Sequence, residues 1–396
     1  MTELTKEIIS TDDTYVMHTY NRFPIVIERG EGCYVWDTDG KKYLDLVGGI
    51  AVNILGHGDS CLAEAIAEQA KKLIHISNIF YTVPQATLAK KLTTLAGMKK
   101  AFFCNSGAEA NEAALKLAKK AAKLSGNEKK TKIVSALNSF HGRTLGAITA
   151  TGQTKYQKSF TPLVPGFDYI EYNNIEAADI IDDDTCAVIM EPVQGESGVH
   201  PATKEFLQAV REKCDKHNAA LIFDEVQTGN GRCGKMFAYE IFGVKPDILT
   251  TAKMLGGGFP IGCCMAGEKY MNIFAPGDHA STFGGTPLAC SAALAVLKRM
   301  EELNLIEKCE KNGEYFRQQL KEVPFVKEVR GYGLMIGAEF EKDITKKIAS
   351  LGFNYGLIMN SIGDRIIRFV PPLIISRSDI DFAVKTIKKI VEEISL

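Results

Sequence analysis

The 396-residue chain lacks any apolar run approaching the roughly 20 residues a membrane-spanning helix needs, so a spanning helix is excluded. It has almost no net charge: 47 Lys and Arg stand against 48 Asp and Glu, which leaves no electrostatic case for nucleic acid or an anionic membrane as partner. The N-terminus, MTELTKEIISTDDTYVMH, lacks the apolar core of a signal peptide. The ten cysteines contain no C-x-x-C, and Cys263 and Cys264 are adjacent inside an apolar run. They read as reduced, mostly buried thiols of a cytoplasmic protein rather than as a disulfide framework. Internal repeats, low-complexity tracts and linkers are also missing. What remains, 45% hydrophobic and 24% charged, is an ordinary globular chain long enough for two domains, or for a large domain with a satellite.

The segment GCYVWDTDGKKYLDL places Asp39-Gly40 between two alternating runs, which predicts a hairpin. From about Pro84, short apolar runs alternate with helical patterns: KAFFCNSG, then the alanine-rich AEANEAALKLAKKAAKL, then KIVSALNSF. Thr185–Val193 and Ala219–Val226 read as buried strands, with a helix, TKEFLQAVREKCDKHN, between them, and DILTTA as another strand. Continuous apolar strands separated by helices predict a mostly parallel sheet covered on both faces. After Pro287 come one long helix, PLACSAALAVLKRMEELNL, and paired strands in VKEVRGYGLMIGAEF. A final helix carries Ile380, Val384, Ile387, Val391 and Ile394 on one stripe and a Ser378/Asp381 capping box. The expected domains are a large α/β unit over 56–290 and a smaller α+β unit built from 1–55 and 291–396.

In a parallel sheet, ligands bind beyond the carboxyl ends of the strands, and the chemistry-bearing residues of this chain follow its apolar runs. Ser106, Gly107 and Ala108, in CNSGAEAN, sit where a strand gives way to a helix. That is a phosphate cradle or a plain N-cap, and not the G-x-G-x-x-G or G-K-[ST] of a nucleotide site. Asp224 ends a buried strand, and a carboxylate there needs a cation or donor: a protonated ring nitrogen, a metal, or a structural partner. No histidine at ligand spacing supports the metal. Alternation puts Val226 on the same face as Asp224, with Glu225 opposite. NSFHGRT supplies Phe140, an aromatic for a ring face or for the core, and Arg143, suited to grip a carboxylate. Lys253, in ILTTAKMLGGGFPIG, is a lone lysine among small residues, either a surface lysine or a nucleophilic amine. Together the set describes pyridoxal 5'-phosphate, whose carbonyl needs an amine and whose ring nitrogen needs an acid.

The sequence resembles the class III (ω-type) aminotransferases of fold type I, and among them those that act on acetylornithine. The resemblance runs nearly end to end, through WDTDGKKYLDLVGGIAVNILGH, HISNIFY, NSGAEANEAALKLAK, FHGRT, EPVQGESGV, FDEVQTGNGRCG, PDILTTAKMLGGGFPIG and STFGGTPLAC. It implies a large domain with a mostly parallel seven-stranded sheet and a smaller α+β domain from both termini. It implies that Lys253 links to the cofactor and then shuttles a proton, while Asp224 keeps the ring nitrogen protonated and Gln227 meets the ring hydroxyl. Ser106, Gly107 and Ala108 would hold the phosphate, helped by Thr282 from the partner subunit of a homodimer. Phe140 and Val226 would sandwich the ring. Arg143, with Ser281 nearby, would bind the α-carboxylate of acetylornithine, and Tyr20 would join the substrate site. Arg368 would bind the near carboxylate of glutamate, with Glu196 neutralising it when the donor is present.

The implied reaction moves the δ-amino group between N2-acetyl-L-ornithine and 2-oxoglutarate, a step of arginine biosynthesis. The departures are Ala108 for a common threonine, Cys233 in GRCG and Thr286 in GGTP. Ornithine enzymes typically carry an aromatic at the position of Ile50 and FWGRT for FHGRT, so both features favour acetylornithine. N-succinyl-diaminopimelate, ornithine and 4-aminobutyrate are the alternative donors. A non-catalytic α/β binding protein is the competing class.

Overall fold

The computed structural model describes residues 1–395. Its centre is a seven-stranded sheet in the order Lys100–Cys104, Gly262–Ala266, Ile248–Thr251, Ala220–Asp224, Thr185–Met190, Lys132–Ala136 and Phe167–Ile170. Gly262–Ala266 runs antiparallel to both of its neighbours, and the other paired strands run parallel. Thr185–Met190, Ala220–Asp224 and Ile248–Thr251 are buried at every residue, as a sheet covered on both faces requires. The helix Gly107–Leu124 presents Ala110, Ala113, Ala114, Ala118 and Ala122 on its buried side, and these small side chains let it lie close to the sheet.

Strands from the two ends of the chain meet elsewhere. Leu357–Ile358 joins the hairpin Tyr34–Asp37/Lys42–Asp45 by pairing parallel with its second strand. Val326–Tyr332 and Met335–Phe340 form the expected antiparallel pair. No helix among the described residues is long and apolar enough to cross a membrane. All ten cysteines are free, and only Cys61 is exposed.

The structure corrects several boundaries. The apolar run Thr185–Val193 is a strand only to Met190. Pro192 offers no N–H to a ladder, and Val193–Gln194 pairs instead with His200–Pro201. The strand Ala220–Asp224 stops before Val226, which lies in the following turn. The long helix after Pro287 ends at Glu302, and a left-handed Asn304 (φ 51°) starts a second one, Leu305–Lys321. The capping box of the last helix, Arg377–Ser395, is Ser376/Asp379 rather than Ser378/Asp381. Ser376 Oγ accepts from Asp379 N at 3.1 Å, and Asp379 Oδ2 accepts from Ser376 N at 3.0 Å. The apolar stripe of that helix holds: Ile380, Val384, Ile387 and Val391 are buried.

Phe223 lies within the central sheet and is fully buried, so Phe223→Ala leaves a cavity the surrounding strands cannot close. A loss of about 3–5 kcal/mol is expected, measured as a lowered urea midpoint with the unfolding slope unchanged.

Candidate active site

The carboxyl ends of the parallel strands open onto a cavity of about 430 Å³. Its wall includes Ser106, Gly107, Ala108, Phe140, Arg143, Asp224, Val226, Gln227 and Lys253, which the chain supplies from four separate strand ends.

Ser106 caps the helix Gly107–Leu124 by accepting from Glu109 N, while Glu109 Oε2 accepts from Asn105 N at 2.9 Å. This reciprocal cap leaves the N–H groups of Gly107 and Ala108 without an acceptor among the described residues, at the positive end of an 18-residue helix. A Cβ on Gly107 would stand 2.6 Å from Val226 Cγ1, so only glycine lets backbone and valine share this wall.

Asp224 is buried and fully engaged. Its Oδ2 accepts from Asn111 Nδ2 at 2.7 Å and lies 2.8 Å from His141 Nδ1, and its Oδ1 accepts from Val226 N at 3.0 Å. Thr250 donates to Asn111 Oδ1 at 2.7 Å, fixing which way the amide faces. His141 is itself buried, and its Nε2 has no partner among the described residues. Glu225 points away, as alternation requires, and accepts from Ala238 N at 2.9 Å and Tyr239 N at 2.7 Å.

Lys253 follows the strand Ile248–Thr251 and opens a short 3₁₀ turn at φ 42°, a left-handed conformation costly for a side chain with a Cβ. Its amine makes no hydrogen bond or ion pair among the described residues. Burial pulls its pKa below the ordinary lysine value, Glu196 and Asp224 opposing and Arg368 assisting.

Beside it, Arg368 is 2% exposed and donates through Nη1 to Glu196 Oε1 at 2.5 Å and Gln227 Oε1 at 3.1 Å, and through Nη2 to Asn360 Oδ1 at 3.0 Å. Gln227 completes a ring of three by donating to Glu196 Oε1 at 2.9 Å. Burial alone would raise the Glu196 carboxyl, but Arg368 and Lys253 outweigh it and hold the pKa down to about 2. The pair therefore stays charged throughout the neutral range.

Phe140 and Tyr156 meet edge to face at 5.8 Å, and the guanidinium of Arg143 lies 4.1 Å over the Tyr156 ring, exposed at the cavity mouth. Five expected residues do not line this cavity: Arg368 and Glu196 reach it only through Gln227, and three others lie apart from it. Ser281 stands behind Asn105, which donates to its Oγ at 3.2 Å, and Thr282 is exposed to solvent. Tyr20 is 75% exposed and lines a separate hollow with Asp12, His18 and Arg22, because the N-terminal arm folds on itself there.

Sequence reasoning gave no role to Asn111, His141, Glu191 or Asn360. Asn111 carried a signal: a poor helix former on the inner side of an alanine-rich helix needs a polar partner. His141 lay inside a motif already noted, but nothing local points it at Asp224, 83 residues away.

The site fits pyridoxal 5'-phosphate. Two unclaimed N–H groups at a helix start suit a phosphate, a buried oriented carboxylate suits a protonated ring nitrogen, and an unpaired amine stands in the same cavity. Comparison with known proteins agrees. The Aminotransferase class-III family model matches residues 15–391. The acetylornithine aminotransferase of Caldanaerobacter subterraneus subsp. tengcongensis is 50% identical over 98% of this chain and all of its own length. That of Methanocaldococcus jannaschii is 50% identical over 98% of each. A structure of the ornithine aminotransferase of Toxoplasma gondii, with pyridoxal phosphate partially occupying its active site, superposes with a TM-score of 0.92. It is 32% identical over 98% of this chain and 94% of that one. The chain is a pyridoxal-phosphate-dependent enzyme and belongs to the class III aminotransferases.

Proposed function

We propose that this aminotransferase moves the δ-amino group of N2-acetyl-L-ornithine to 2-oxoglutarate, giving N-acetyl-L-glutamate 5-semialdehyde and L-glutamate. The observation that carries the reading is the Arg368–Glu196 pair, which is hydrogen-bonded to Gln227 of the cavity wall and lies within electrostatic reach of Lys253. The identity of half the residues with acetylornithine enzymes over nearly their whole length supports the donor.

When bound, pyridoxal phosphate takes up the amino group and withdraws the electron pair left at the donor carbon. Gly107 and Ala108 would hold its phosphate by backbone N–H groups, with Ser106 fixing the helix start. Phe140 and Val226 would flank its ring, and Gln227 would meet the ring hydroxyl. Asp224, ionised and oriented by Asn111 and His141, would keep the ring nitrogen protonated. Lys253, its pKa lowered by burial and its amine unpaired among the described residues, would hold the cofactor through Nζ and would carry the proton between the two reacting carbons.

The two substrates differ in where their carboxylates lie. The donor presents a distal amine with its α-carboxylate far off, which exposed Arg143 at the mouth can grip, and Glu196 then neutralises Arg368. Glutamate presents its α-amine with a carboxylate close by, and Arg368 must leave Glu196 to bind it. Ile50, half exposed in the left-handed turn before Val52 of the cavity wall, is aliphatic where the resemblance puts an aromatic in ornithine enzymes, which supports the acetylated donor.

The partner is a second copy of this chain. Ile79, Tyr81 and Val83 are each at least 80% exposed on one apolar stretch, and Phe283 beside Thr282 is 62% exposed, a surface that suits burial in a homodimer. Across such an interface Thr282 and Ser281 would serve the other subunit's phosphate and substrate sites.

Lys253→Ala is expected to abolish turnover, a loss on the order of 10³-fold or more, while the far-ultraviolet circular dichroism stays that of the parent. Asp224→Asn, which keeps the shape and loses the charge, should cut the rate by on the order of 10²-fold; parental rate in either variant would refute the assignment. Single-turnover measurement of each half-reaction tests the switch. Arg368→Ala should impair the step with glutamate far more than the step with acetylornithine. Glu196→Ala should do the reverse, and equal losses in both halves for both variants would rule the switch out.

A further inference from the structure

Glu191 is the acid in the cavity wall that the transfer chemistry leaves without a task. It follows the strand Thr185–Met190, lines the cavity and is 5% exposed. Its Oε2 accepts the backbone N–H of Phe140 at 3.0 Å, and its carboxyl makes no other hydrogen bond and no ion pair among the described residues. The ionisable groups facing it are Asp224, Glu196 and Lys253. Tyr172, on its far side, donates to the backbone carbonyl of Glu191 at 2.7 Å and brings no cation.

Asp224 and Glu196 each have partners that stabilise a negative charge: Asn111, His141 and a backbone N–H for the first, Arg368 and Gln227 for the second. Glu191 has one backbone N–H. Ionised and nearly out of reach of water, it would add a negative charge beside Asp224 with no cation of its own, since Arg368 is taken by Glu196, and protonation costs less than that arrangement. We infer that Glu191 is a neutral carboxylic acid at neutral pH and a positioning residue. It holds Phe140 from behind while the negative charge of the wall stays confined to Asp224 and Glu196. Burial, followed by the repulsion of Asp224, pushes its carboxyl well above the usual range, in agreement with the geometry.

The inference rests on Phe140 as a cover of the cofactor ring, but its protonation can be read without cofactor. An infrared difference spectrum of cofactor-free wild type minus Glu191→Gln near neutral pH should show a protonated-carboxyl carbonyl band. Asp224 and Glu225, the other buried acids of this region, are present in both proteins and cancel. Loss of a carboxylate band instead would overturn the inference. Holding Phe140 needs an acceptor and no charge, so Glu191→Leu should weaken pyridoxal phosphate binding by about tenfold. Glu191→Gln should restore most of that affinity and keep the parental pH profile of kcat/KM. Failure of the glutamine to rescue, or a shifted profile, would show that Glu191 works as a charge. Should the leucine variant not fold, the infrared spectrum and the glutamine profile decide. If wild type takes up no pyridoxal phosphate, the cofactor reading falls, and the infrared result still reports the protonation.

Discussion

The structure turns on one constraint: a carboxylate, Asp224, ends a fully buried strand at the floor of a cavity. Such a charge persists only if the fold supplies donors, and three elements converge to do so. The helix Gly107–Leu124 contributes Asn111, the loop after Lys132–Ala136 contributes His141, and the turn after the strand contributes the Val226 N–H. Each of these elements also carries a wall of the site. The same helix presents the free N–H groups of Gly107 and Ala108, the same loop holds Phe140 and Arg143, and the same turn holds Val226 and Gln227. Satisfying one buried charge therefore orients most of the cavity.

Charge also decides how the far wall is built. Lys253 lies among three acids and one arginine, and their roles differ by their partners rather than by their type. Glu196 has Arg368 and stays ionised, whereas Glu191 has a single N–H. The Arg368–Glu196–Gln227 ring is closed by three hydrogen bonds around a buried guanidinium, which would be costly to leave without an acceptor, so a competing carboxylate is the natural group to open it. Differential binding of that kind is what the proposed switch would use to take two substrates in turn.

Much of the fold was legible because its signals are local. Apolar runs named most strands of the central sheet, Asp39-Gly40 named the hairpin, and the stripe through Ile380 and Val391 named the last helix. The misses have local causes as well. Pro192 cut one apolar run into two strands, Asn304 broke one helix into two, and the last helix starts at Arg377, which makes Ser376 the cap rather than the equally spaced Ser378. Phe167–Ile170 is only partly buried at three of its four residues and carries no continuous apolar run, and Gly262–Ala266 runs against its neighbours, a direction no residue pattern records.

The sequence by itself determined the residue types and their place after each strand: Lys253, Asp224, Phe140 and Gly107 are chemistry-bearing residues at positions where a parallel sheet puts its ligands. Their strand ends lie at one edge of that sheet whatever the loops do, so composition and order were enough. The tertiary structure decided the pairings. Asp224 with His141, Arg368 with Glu196 and Glu191 with Phe140 span 83, 172 and 51 residues. Such partners are chosen by the twist and order of the sheet, which bring remote strand ends within 3 Å, and by the cost of leaving a buried polar group alone. It also placed Tyr20 and Thr282 outside the cavity of their own chain, because a segment's reach depends on where neighbouring elements fold it.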